Sequence, residues 1–249
     1  MVEIAGCGER WTRVERARPE EWKRAVDALL QAAQLVAGSG MSLRWLDEPC
    51  ALRVEPTAGP APALRVAGLT LVILDNHQQL MKTMPLGGAL KTEAAKWLAS
   101  HGIEPVAPSN GAATVPAPKQ EVLANLERTL SNAHHVLSQI ARMTHAAGPV
   151  RTDPVTLQTC TTIRLGTRAG ESQRYITVGF DPAGDQGEFF VTTHPEAPAG
   201  AAVLSLAEVA SESDGDVQAR VIETFLAKSM AGAYDHLSRE WRPRTAPQT

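Results

Sequence analysis

One stretch constrains the fold of this chain more than any other. Across residues 119–147, Leu123, Leu126, Leu130, Ala133, Leu137 and Ile140 recur at steps of three and four without a break. That is the period of one face of an α-helix, and Gly148-Pro149 ends it. A stripe of this length has to be covered. A coiled pair with a second copy, giving a homo-oligomer, and the chain's own sheet both satisfy it.

Shorter elements surround this helix. Residues 1–18 mix Gly, Arg and Glu without period and are expected to form an arm. Pro19-Glu20-Glu21 then opens a helix, because proline is at no disadvantage in a first turn. Its apolar face is Ala25, Leu29, Ala32, Leu35 and Val36, and Gly38-Ser39-Gly40 stops it. Strands are expected over residues 42–46, 51–55, 63–67, 69–74 and 79–84, with a loop over 57–62 and a turn over 75–78. A helix over 89–101 follows, with Leu90, Ala94, Trp97 and Leu98 on one side and Gly102 as its cap. After the long helix come expected strands over 155–165, 174–181, 188–193 and 202–206. A helix over 216–241 closes the chain, with Val217, Val221, Phe225, Leu226, Tyr234 and Leu237 inward.

The second half restates the first. Leu35-Val36-Ala37-Gly38 corresponds to His145-Ala146-Ala147-Gly148, and Leu52-Arg53-Val54 to Ile163-Arg164-Leu165. Leu74-Asp75 then matches Phe180-Asp181, Lys82-Thr83-Met84-Pro85 matches Thr192-Thr193-His194-Pro195, and Trp97-Leu98-Ala99 matches Phe225-Leu226-Ala227. Residues 201–213 are extra material. The fold class expected is therefore α+β: two repeated units of helix, antiparallel meander and helix, packed as one compact domain. An arm (1–18), a first unit (19–103), a linker (104–118), a second unit (119–241) and a tail (242–249) make up the chain. A crevice between the units is the default binding pocket.

These residues resemble an uncharacterised bacterial family, a domain of unknown function of this size. Its marks are a Trp-bearing helix, an acidic-His hairpin, a Ser-Pro-Val strand and a Gly-Phe-x-Pro strand. The counterparts here are Trp22 with Val36-Ala37-Gly38, Asp75-Asn76-His77, His101-Gly102-Ile103, Asp153-Pro154-Val155, Gly179-Phe180-Asp181-Pro182 and His194-Pro195-Glu196. The family's aromatic-rich run is replaced by residues 156–163, which contain no aromatic. The resemblance implies a fold and not an activity.

Charge and motifs narrow the function classes. Acidic residues outnumber basic ones for a net −3 without a long basic run, which argues against nucleic acid as a partner. The longest early apolar stretch, residues 28–38, is broken by Gln31 and Gln34 and is too short for a membrane span. With no secretory signal visible at its start, the chain is expected in the cytoplasm. Cys7, Cys50 and Cys160 lack C-x-x-C spacing and read as free buried thiols. Nucleophile-elbow, phosphate-loop, zincin and dinucleotide signatures are missing, and neither cofactor nor metal is expected.

Asp75-Asn76-His77 is the most polar cluster beside an apolar strand; a turn chosen for backbone reasons is its plainer reading. Residues 181–188 carry Asp181, Asp185 and Glu188 around two glycines without EF-hand spacing, as in an ordinary hairpin loop. His134, His135 and His145 lie along the long helix, and His134 and His145 are too far apart to share a metal. Trp11, Trp45 and Trp241 are core or interface residues. The leading expectation is a non-catalytic binding or accessory protein, holding a protein partner or small molecule in the crevice or along the long helix. The alternative is an enzyme of small-molecule metabolism using Asp75 and His77 with Asp181, Asp185 or His194.

Overall fold

Helix α1, Pro19–Val36, starts where the backbone carbonyl of Arg18 accepts from the amides of Glu21 and Trp22, with Glu20 and Glu21 in the positive first turn. This is a computed structural model, and it describes residues 11–37, 41–48, 50–55, 60–105, 113–165, 173–197 and 200–240. Five strands follow: β1 (Ser42–Leu46), β2 (Ala51–Glu55), β3 (Ala61–Arg65), β4 (Thr70–Leu74) and β5 (Leu80–Pro85). Helix α2 (Lys91–Ser100) closes the first unit. The second repeats the order with α3 (Gln120–Met143), β6 (Arg151–Thr152), β7 (Thr159–Leu165), β8 (Arg174–Asp181), β9 (Glu188–His194) and β10 (Ala202–Ser205). A short helix α4 (Leu206–Val209) leads into α5 (Gly215–Glu240).

All ten strands form one antiparallel sheet, in the order β10-β9-β8-β7-β6-β1-β2-β3-β4-β5. The order reads the same outward from the seam between β6 and β1, so each unit contributes one five-stranded meander and an approximate twofold relates them. Leu43 pairs with Thr152 at that seam, and both are buried. The helices share one face of the sheet, where Leu43, Trp45, Ile163, Val178 and Phe180 join α1, α3 and α5 in a single apolar core. Leu46, Ala51, Ala63, Val72 and Leu74 form a smaller cluster on the opposite face of the first meander.

The stripe of α3 is consumed inside the molecule: Leu123, Leu126, Leu130, Ala133, Leu137 and Ile140 are all buried, and α3 lies on β7, β8 and α1. This corrects the coiled-pair expectation, because a face already buried on its own sheet has no apolar area left to offer a second copy.

Several boundaries moved for local reasons. The strand expected over 155–165 starts only at Thr159, because the Asp153 carboxylate accepts from the amides of Val155 and Thr156 and turns the chain after the two-residue β6, with Leu157 at φ 60. Strand β3 starts earlier than expected and includes Pro62, whereas residues 66–69 are a turn. The end of the expected linker is not free: Val115 donates to Ala89, accepts from Gly88, and is buried. The repeat also slips by one strand downstream. Counted from the seam, β4 is the counterpart of β9, so aligning Leu74-Asp75 with Phe180-Asp181 joined strands that are not equivalent. Residues 1–10 with Cys7, Gly38-Ser39-Gly40, residues 56–59 of the expected loop, residues 106–112 of the expected linker, Trp241 and the tail lie outside the described residues.

Residues 11–18 are a clamped strap. Asn132 accepts from the Thr12 amide (3.0 Å) and donates to its carbonyl (2.6 Å); Asn125 does the same for Glu15 (3.1 and 2.7 Å). These asparagines are seven residues, or two turns, apart on one side of α3. Gln218 on α5 accepts from Trp11 Nε1 (3.2 Å) and the Val14 amide (3.0 Å), and donates to the carbonyls of Val14 (3.0 Å) and Glu212 (2.9 Å). All three amides are buried. Gln218→Ala would strand Trp11 Nε1 and the Val14 amide and carbonyl away from water, each at roughly 1–3 kcal/mol before relaxation. Urea unfolding of that variant is expected to show a loss of at least about 2 kcal/mol at unchanged m-value; a loss under about 0.5 kcal/mol, within the range of ordinary surface substitutions, would mean the strap is dispensable.

Candidate functional site

The first helix of each unit reaches a turn of the other unit with its side chains. At the start of α1 the Trp22 indole donates to the Pro182 carbonyl in the β8–β9 turn at 2.9 Å. At the start of α3 the Ala67 amide, in the β3–β4 turn, donates to Glu127 Oε2 at 2.9 Å, and Gln120 Nε2 donates to the Ala67 carbonyl. Glu127 and Gln120 thus tie α3 to its turn. Beside α1 the indole makes the corresponding contact, and a groove of about 610 Å³ lies between α1 and residues 156–158 and 181–185 of the second unit.

The apolar wall of this groove is Val26, Leu30 and Pro182. Its charged groups are Glu20, Asp27, Asp181 and Asp185 against Lys23. Asp181 is already engaged: Gln158 Nε2 donates to one oxygen at 2.7 Å and the Ala183 amide to the other at 2.8 Å. Glu20, Asp27 and Asp185 are exposed at the rim. The β8–β9 turn that carries Asp185 depends on Gly187, at φ +86, where an added Cβ would lie 2.7 Å from Phe180. A smaller hollow of about 430 Å³ sits between β9, β10 and α5, walled mostly by small residues such as Ala197, Gly200, Gly232 and Ala233.

The residues singled out in the sequence do not converge. Asp75 caps its own turn, accepting from the amides of His77 and Gln79 at 2.8 Å each, and His77 is exposed. Asp75 follows β4 and Asp181 ends β8, six strands away, roughly 29 Å along the sheet at about 4.8 Å per strand. His194 closes β9 at the opposite end of the strands from Asp181 and stacks on Tyr175 with ring centroids 4.7 Å apart. Only Asp181 and Asp185 share the groove. Sequence reasoning missed Glu20, Lys23, Asp27 and Leu30, which look like an ordinary helix surface until the second unit is set against them. Among the described residues no three His, Cys, Asp or Glu side chains gather as a metal site, and no helix is long and apolar enough to cross a membrane.

The other ionisable groups are structural. Lys119, bonded to Glu21 at 2.6 Å, holds that carboxyl below its usual range and ties the starts of α1 and α3 together. Cys50 is exposed rather than buried, and Cys160 is half-buried; burial pushes both thiols up, away from the reactive thiolate. Trp11 and Trp45 belong to the core. His135 meets Gln139 on α3 at 3.1 Å, and His145 is exposed beyond its end.

His134 is different: its Nδ1 is buried without a hydrogen-bond partner among the described residues, and burial lowers its pKa from 6.5 to about 4. Above pH 6.5 the ring is neutral in both the folded and the unfolded chain. Between 6.5 and about 4 only the unfolded chain takes up the proton, so stability falls as pH falls through that window, by up to about 3 kcal/mol. His134→Gln is expected to flatten that part of the stability profile, measured by urea unfolding at pH 7, 5.5 and 4.5; an unchanged profile would show that the ring is hydrated in solution. Compared with protein families, with curated proteins and with solved structures, the chain matches none of them.

Proposed function

We propose that this protein is a non-catalytic binding or accessory protein whose ligand occupies the groove between α1 and the turns of the second unit. The observation that carries the reading is the groove itself, about 610 Å³ between α1 and the turns of the second unit, with an apolar wall and carboxylates around it. That volume is within the range of small-molecule sites, roughly 300–1,000 Å³. An apolar wall with carboxylates on the rim suits a ligand with an apolar body and a positive charge, whether a small molecule or a short segment of a partner protein.

Acid–base catalysis has less support. Both oxygens of Asp181 are bonded, and the groove has no histidine among its described lining residues. The ligand class is testable by NMR titration of the labelled protein with phenethylammonium. Amide shifts are expected within residues 19–30, 156–158 and 181–185, and Leu30→Trp, which fills the groove, is expected to weaken binding about tenfold or more. Shifts centred elsewhere would sink the groove as the site; equal binding of uncharged phenylethanol would remove the role of the carboxylates.

A further inference from the structure

The net charge of −3 conceals how the arginines are sorted. Strand residues alternate between the two faces of a sheet, and on β7, β8 and β9 the residues facing away from the helices include Cys160, Gly179 and Phe190 in one cross-strand row. Arg164, Tyr175 and His194 form another. At the seam Leu43 and Thr152 point inward, so their neighbours Arg44 and Arg151 come side by side on the outward face. Arg53 then pairs with Arg44 on the next strand. Three arginines therefore occupy three adjacent strands, an arrangement in which like charges repel. Among the described residues one carboxylate pairs with them, Glu55, 3.5 Å from Arg44. Arg53 Nε is buried without a hydrogen-bond partner among the described residues.

The aromatic rings add a second observation. Phe190 reaches over Gly179, where an added Cβ would be 2.4 Å from the tip of its ring, and the side chain is half-buried on the outward face. Tyr175 and His194 make a second platform, stacked at an interplanar angle of 12°. His194 is four residues beyond Phe190 on β9, roughly 14 Å at about 3.4 Å per residue. Arg164 stands beside Tyr175, Arg151 beside Cys160, and Thr162, Thr177 and Thr192 form the row between the platforms. Arg44, Arg151 and Arg164 are exposed.

We propose that the outward sheet face around the β6–β1 seam binds single-stranded nucleic acid, its bases stacking on Phe190 and on the Tyr175–His194 pair and its phosphates meeting Arg151, Arg44 and Arg164. Aromatic rings beside a row of guanidinium groups suit bases joined by phosphates, because every base has a ring face to stack and every linkage a charge to pair. An acidic peptide would use the arginines and leave the rings idle. This surface is separate from the groove beside α1, and its failure would leave that reading intact.

The test is fluorescence anisotropy of the full chain with labelled 15-nucleotide oligo(U) and oligo(dT) at several salt concentrations. Three neutralised phosphates give an expected slope of about −2 for log K against log salt, since single strands contribute roughly −0.7 each. Arg151→Ala and Arg164→Ala are each expected to weaken binding and make the slope shallower by about 0.7. Phe190→Leu, which still covers Gly179 but removes the ring, is expected to weaken it by about fivefold or more. Three results would overturn the proposal: no binding at 50 mM salt, a duplex bound as tightly as the single strand, or polyglutamate of equal charge bound as tightly as oligo(U).

Discussion

The architecture depends on the buried amides of Asn125, Asn132 and Gln218. They hold residues 11–15 by the backbone, the two asparagines from α3 and Gln218 from α5, joining parts of the chain more than a hundred residues apart. Hydrogen bonds in a dry core are worth modest amounts when made and cost much more when left unmade. The strap therefore has one position rather than a family of them. Its end at Arg18 begins α1, so the clamp sets where that helix starts, and the bond from Trp22 to Pro182 carries the position across to the second unit.

With α1 placed in this way, duplication supplies the rest. Two meanders meet at β1 and β6 and share one sheet, and each first helix reaches the far unit's turn. Equivalent positions do not carry equivalent residues. Gln120 and Glu127 fold α3 onto Ala67, while α1 has Lys23 and Asp27 on its corresponding stretch and leaves a gap. Matching turns are therefore met in different ways: side-chain hydrogen bonds tie α3 to its turn, and a concave surface lies beside α1.

Charge is sorted by the same sheet. Whole-chain balance describes solubility and average repulsion, but a partner meets one face at a time. The groove collects Glu20, Asp27, Asp181 and Asp185, and the outward face at the seam collects Arg44, Arg53 and Arg151. A chain of net −3 thus carries two surfaces of opposite sign: strand alternation puts the arginines on one face of the sheet, and α1 with the β8–β9 turn brings the carboxylates together.

Much of the fold was legible in the chain itself. The long helix, both closing helices and most strand centres are local patterns, and a period of 3.6 or 2 with Gly, Pro and Asp punctuation is enough to read them. The α+β class and the doubling of the units followed from the order of those patterns. What covers the stripe of α3, which strand of one meander answers which of the other, and that Asp75 and His77 stay far from Asp181 were decided by the tertiary structure alone. The physical reason is that pairing across a sheet and burial between helices join residues far apart in the chain, and no local period encodes that distance. The groove beside α1 is the clearest case: Lys23, Asp27 and Leu30 form an unexceptional helix surface in sequence, and they become a site only because a turn more than 150 residues away is folded against them.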